Sequence, residues 1–148
     1  MPTTEVFCVC DRTTLDEKVV NVFGIRSGIT VPKFPYDLDI RLCGRIRFDN
    51  TEQGPHKLNV TIVPPEGAEQ RMLDLGTADI SVPGPLSFIV QHMDLGITCP
   101  FPVLGEYTFV LWIDEKEVAD TKVWVRDGSV PEVRLGGKTP MRGPESRN

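Results

Sequence analysis

The sequence predicts an all-β fold, a sandwich of about seven to nine antiparallel strands followed by an irregular C-terminal tail. Three observations carry this expectation. Short apolar segments bounded by turn residues recur at about 10–15-residue spacing over residues 1–126. Thirteen prolines and thirteen glycines among 148 residues punctuate them. No window sustains apolar residues at i, i+3, i+4 and i+7 between caps, so no amphipathic helix is expected. The length suits one domain that buries on the order of two-thirds of its unfolded surface.

Val6-Phe7-Cys8-Val9-Cys10 is apolar and β-prone, and residues 11–17 are polar and turn-like. Residues 18–30 hold Val19, Val20, Val22, Phe23, Ile25 and Ile29, with Gly24 and Gly28 marking a bulge or a sharp bend. Pro32-Lys33-Phe34-Pro35 breaks the pattern. The cleanest alternation follows. Leu38, Ile40, Leu42, Gly44, Ile46 and Phe48 share one face; Asp37, Asp39, Arg41, Cys43, Arg45, Arg47 and Asp49 share the other. Period two over this span predicts a long strand with one dry and one wet side.

Residues 50–55 read as a loop, and Leu58, Val60 and Ile62 alternate again up to Pro64-Pro65. Two weaker strands are expected at 70–75 and 77–82, then a turn at Pro83-Gly84-Pro85. A strand follows over 86–95, with Phe88 and Val90 competing against Ile89 and Met93 for the inner face. Residues 99–104 form a proline-stiffened connection into a hairpin spanning 105–125.

Parity constrains that hairpin. Tyr107, Phe109 and Leu111 share one phase, and Ala119, Thr121, Val123 and Val125 share the apolar phase of the return strand. Both face the core only with an odd loop or a bulge near Glu115, because register fixes the side each residue faces. Trp112 and Trp124 then project from the outer face, opposite Val118 and Glu106 and too far apart for an aromatic platform.

Charge and cysteine usage narrow the function classes. The net charge of -5 does not suit a general nucleic-acid binder. Residues 127–148 hold Pro131, Gly136-Gly137, Pro140 and Gly143-Pro144, few apolar residues and no period, and are expected to be a flexible tail. From Arg126 on, the tail carries five basic and three acidic residues, a net of +2 on an acidic body. Met1-Pro2-Thr3-Thr4-Glu5 lacks a basic leader region, and no apolar run approaches the ~20 residues of a membrane span. Cys8, Cys10, Cys43 and Cys99 are therefore expected as free thiols in a reducing cytoplasm.

Catalytic patterns are incomplete. Gly136-Gly137-Lys138-Thr139 ends like a phosphate-binding loop, but Glu132 stands where the first glycine is needed and Pro140 obstructs the helix. Gly24-Ile25-Arg26-Ser27-Gly28 has its serine one place late for a nucleophile elbow. His92 and Asp94 share a strand face, a solvated pair by default. Zinc would need Cys8, Cys10 and two of Cys43, Cys99, His56 and His92, with only one closely spaced pair available. Small buried hydrophobes are the expected role of Cys8 and Cys10. Arg41, Arg45 and Arg47 align on the wet face of the long strand and form the one candidate patch for an anion or an acidic partner. Its bland alternative is a solvated face paired with acids on neighbouring strands, with Asp37, Asp39 and Asp49 already on the same face.

Gly105-Glu106-Tyr107-Thr108-Phe109 resembles the Gly-x-Tyr corner of immunoglobulin-like domains, with Phe109 where antibody domains carry a cysteine. The partner cysteine and the core tryptophan have no counterpart, so the likeness is to architecture. The overall order also resembles a family of small uncharacterised bacterial β-sandwich proteins. It rests on Cys10-Asp11, Val22-Phe23-Gly24-Ile25, Phe34-Pro35 and the run from Phe101 to Tyr107, and covers about residues 6–126. That resemblance implies an immunoglobulin-like sandwich of unknown function and supplies no catalytic residue. The resulting expectation is a non-catalytic binding or assembly module with a protein partner or self-association, and with no cofactor, metal, membrane or nucleic acid. The alternatives are a small hydrolase or metal enzyme with its site in the loops, and a structural oligomer built through edge strands.

Overall fold

A computed structural model describes residues 2–16, 19–66, 73–82 and 88–128. The described residues form ten strands and no α-helix. In chain order these are β1 (Thr3–Cys10), β2 (Arg12–Asp16), β3 (Val19–Phe23), β4 (Gly28–Val31), β5 (Tyr36–Asp49), β6 (Gly54–Val63), β7 (Leu73–Val82), β8 (Phe88–Phe101), β9 (Gly105–Ile113) and β10 (Lys116–Asp127). One 3-10 turn, Asn50–Glu52, separates β5 from β6.

Two sheets make the sandwich, one ordered β1-β5-β8 and the other β4-β10-β9-β6-β7, with β2 and β3 paired as a separate hairpin. The core lies between the two sheets. Val9, Leu42, Ile46, Phe48 and Phe101 come from the first; Val31, Val60, Ile62, Tyr107, Phe109, Leu111, Val123 and Val125 come from the second. Ile40, Leu42, Gly44, Ile46 and Phe48 are all buried, as the alternation of β5 requires.

The β9–β10 hairpin shows how sequence parity becomes structure. Its turn, Asp114 and Glu115, has both residues at positive φ (51° and 67°), the two-residue geometry that matches strand twist. That even turn alone would put the two apolar sets on opposite faces. A bulge between Glu117 and Ala119 restores them, so Leu111 opposes Ala119 and Tyr107 opposes Val123. Trp124 opposes Glu106 as expected, whereas the bulge takes Val118 out of register and Trp112 opposes Glu117.

The Tyr107 hydroxyl donates to the Val103 carbonyl (2.5 Å) and accepts from the Val103 N–H (3.1 Å). Its ring stands edge-on to Phe101 at 5.0 Å. This is the tyrosine corner at the entry to the penultimate strand. Gly105 sits at φ +143°, and a Cβ there would lie 2.6 Å from Pro65, which explains the glycine of the Gly-x-Tyr motif. Two packed sheets and this corner make the fold an immunoglobulin-like sandwich.

Several expectations are corrected. Residues 12–16 are a strand, not a turn, because they pair with β3 from Arg12↔Phe23 to Asp16↔Val19. The stretch 18–30 is two strands, divided at Gly24 (φ +68°). Residues 73–82 are one strand; Gly76 at φ +147° and a register shift beside it produce the break that reads as two. Pairing is not wholly antiparallel: β4 runs parallel to β10, Gly28↔Trp124 through Val31↔Asp127. In β8, Met93, Cys99 and Phe101 are buried, so the odd phase faces inward. The side chains of Phe88, Ile89 and Val90, and the tail beyond residue 128, lie outside the described residues.

Candidate functional site

The sandwich opens where its first edge strand ends. Asp11 bends the chain out of β1, and its N–H turns to the Phe23 carbonyl (2.9 Å) and the Gly24 carbonyl (3.2 Å). β1 therefore pairs with β5 only from Thr3↔Arg47 to Cys10↔Arg41. The chain then crosses to the other sheet as β4. Between these strands lies a cleft of about 660 Å³. Val9, Ile29, Leu38, Ile40 and Ile97 give it an apolar floor, while Asp11, Arg26, Asp39, Arg41 and Thr98 give it a polar rim.

Arg26 ties the rim together. Its N–H donates to the Val9 carbonyl (2.8 Å), and its Nε donates to Asp11 Oδ1 (2.7 Å). A second cleft of about 540 Å³ shares Asp11, Arg26 and Thr30 with the first. The connecting loop needs Gly24, since a Cβ there would sit 2.1 Å from the Asp11 carboxylate. Beside it Ile25 is 67% exposed and Phe23 40% exposed, with the Arg12 guanidinium 4.2 Å over the Phe23 ring.

The arginine patch resolves into ion pairs. Arg41 donates to Asp94 Oδ1 (2.6 Å), Arg45 donates to Glu5 Oε1 (2.8 Å), and Arg47 lies 4.0 Å from Glu5 Oε2. Glu5 sits in the bulge of β1 between Thr4 and Val6, which brings it to both arginines. The neutralising acids thus come from the neighbouring strands β1 and β8, as the solvated-face alternative expects. Only Arg41 reaches the cleft.

Cys43 is the main departure on this wet face, because it is buried. It opposes Cys8 across β1–β5, and with Cys10 the three thiols form a cluster closed by Val22 of the β2–β3 hairpin. Thr13 anchors the hairpin by donating to Asp94 Oδ2 (2.7 Å). Burial pushes the Cys8 and Cys10 thiols up, and pushes Cys43 up to about 12, with Cys8 and Cys10 adding to the effect. Such thiols stay protonated at neutral pH and are poor nucleophiles. Among the described residues no group of three or more His, Cys, Asp or Glu is arranged to hold a metal ion. Cys99 belongs to the core, pushed to about 12 by burial.

His56 stands far from the thiols in the fold, at the β9–β10 turn. Its Nδ1 faces Asp114 Oδ2 (2.6 Å) and its Nε2 faces the Glu52 carbonyl (2.6 Å). Burial alone would lower its pKa, but the Glu52 carbonyl and the Asp114 carboxylate together raise it. Both partners are acceptors, so the geometry favours the protonated ring that donates from both nitrogens, and the imidazole acts as a structural clip. The His92 side chain lies outside the described residues. Trp124 is 48% exposed, whereas Trp112 is half-buried and donates its indole N–H to the Thr61 hydroxyl (2.9 Å).

No curated protein matches this chain. The fold is similar to part of an alkylpurine DNA glycosylase from Pseudomonas fluorescens, solved bound to DNA containing an abasic site analog (8% identity, TM-score 0.49). That match covers 84% of this chain and only 30% of the glycosylase. It is also similar to an immunoglobulin-like protein from Pseudomonas aeruginosa (11% identity, TM-score 0.39, 85% and 97% of the two chains). Likeness at this level says nothing about activity. One family of unknown function, DUF6941, has a sequence model that matches residues 5–126, and the chain belongs to that family.

Proposed function

We propose that the protein is a non-catalytic protein-binding module that engages its partner at the cleft where β1 leaves β5. The observation that carries this reading is the apolar-floored cleft with Ile25 and Phe23 exposed beside it. Exposed apolar anchors beside a pocket with a polar rim have the composition of an interface centre. Two further features support a role without catalysis. The clustered thiols are buried and protonated, and both nitrogens of His56 are engaged in holding the turn. A reducing cytoplasm belongs to the same reading, on the sequence's four cysteines with a single close pair.

A photo-cross-linking residue placed at Ile25, and in a separate variant at Glu115 on the opposite turn, tests this in the native host. The expected result is one protein cross-linked from position 25 and not from position 115. The purified partner then binds the wild-type chain and not Ile25→Glu. Equal capture from both positions, or reconstituted binding that Ile25→Glu leaves intact, sinks the proposal.

A further inference from the structure

The cleft contains an incomplete β-ladder. Residues 36–40 of β5 pair with β8 from Tyr36↔Phe101 to Ile40↔Ile97. Their other edge has no ladder partner among the described residues, because β1 reaches only to Arg41. An open strand edge presents N–H and C=O groups that accept another strand, and proteins ordinarily cover or blunt it. Five extended residues span ~17 Å along such an edge. β1 already lies antiparallel on the same edge from Arg41 onward, so a segment continuing in its line meets a geometry this strand already accepts.

The two faces of that edge specify what side chains it takes. Leu38 and Ile40 line the cleft floor with Val9, Ile29 and Ile97. On the outer face Asp37 and Asp39 are exposed, and neither forms an ion pair among the described residues; Asp39 accepts the Thr98 hydroxyl (2.6 Å). Arg41, next on that face, is held by Asp94. An added strand would therefore place alternate residues on an apolar floor and the others beside two uncompensated carboxylates.

We infer that this module binds its protein partner by strand addition, taking an extended segment of alternating apolar and basic residues along residues 36–40 of β5. The inference rests on the binding-module reading above and assigns its mode and its sequence preference. Main-chain hydrogen bonds supply affinity, and the alternate side chains supply selectivity.

The probes are acetylated octapeptides of alternating valine and lysine, their valine–glutamate counterparts, and a block peptide of the same valine–lysine composition. They are titrated into the full chain with NMR and amide-exchange readout. The alternating basic peptide is expected to shift and protect amides within 36–40, and the acidic peptide to bind at least about tenfold more weakly. Asp37→Asn with Asp39→Asn abolishes that discrimination, and both sites are exposed enough to leave the fold intact. No perturbation at 36–40, equal binding of the acidic or block peptide, or discrimination that survives the double substitution overturns the inference. Protection, in the free protein, of those amides within 36–40 that point away from β8 also overturns it, as a second copy if it falls on dilution and as the chain's own residues 129–148 if it does not. A partner captured from position 25 with a silent β5 edge refutes strand addition alone; peptide binding without any captured partner refutes the module alone.

Discussion

The two acceptors facing His56 favour its protonated form, and the sign of its effect on stability follows. Its folded pKa lies above the ordinary 6.5, so its contribution is complete below about pH 6.5 and is lost as pH rises through the raised value. Asp114 lies below its ordinary 3.8, lowered by the Lys57 N–H and by His56, so its contribution is present above about pH 3.8 and fades as pH falls further. Stability should therefore fall as pH rises from about 6.5 through the raised value, and His56→Gln should flatten that slope in urea unfolding measured across neutral and mildly alkaline pH. Tyr107→Phe tests the corner. It strips the Val103 N–H and C=O of their shared partner, at a cost of about 1 kcal/mol by chemical denaturation, since Val103 is exposed enough for water to compensate in part. The two residues differ in how legible they are in the sequence. The Gly-x-Tyr spacing announces Tyr107 as a core residue, whereas nothing near His56 announces Asp114, which lies 58 positions away.

At the scale of elements, corners and covers decide the outcome. Gly105→Ala places a Cβ against Pro65 and forces a non-glycine residue to φ +143°, so a loss of about 2 kcal/mol or more is expected in thermal or urea unfolding. The β2–β3 hairpin is a cover whose underside is Val22. Val22→Asp should lift it, and iodoacetamide should then alkylate Cys8, Cys10 and Cys43 faster than in the wild-type chain, as read by peptide mass mapping. Unchanged alkylation with the fold intact would mean that the hairpin does not guard the thiols. The hairpin is hard to see in the sequence because Arg12–Asp16 is polar throughout except for Leu15. Its strand character comes from its partner β3, and β-propensity alone does not anticipate such pairing.

Across the whole molecule, the two ends differ in chemistry. One end carries the Asp49-capped 3-10 turn, the Asp114–Glu115 turn and the His56 clip, all closed by hydrogen bonds. The other presents Val63, Leu73 and Trp124 on strand ends, and Val103 and Leu104 in the β8–β9 connection, as exposed apolar side chains near Gly105 and Glu106. Substitutions should sort accordingly. Ile25→Glu should leave unfolding free energy within about 0.5 kcal/mol of wild type, as for surface sites away from special features. Arg45→Ala should cost under about 1 kcal/mol, because its pairing with Glu5 is partly solvated.

The sequence by itself determined the fold class, the inward phase of β5, β6 and β9, and the need for either an odd loop or a bulge in the final hairpin; the structure chose the bulge. Each follows from period two and parity, which are local properties of a strand. Only the tertiary structure decided that Cys43 is buried on a face that otherwise carries charge. It alone showed that Asp94 and Glu5 neutralise the arginines, and that β1 stops short of residues 36–40. Those outcomes depend on where one strand ends beside another and on what folds over an outer face, relations between segments far apart in the chain. Alternation along a single strand carries no record of them.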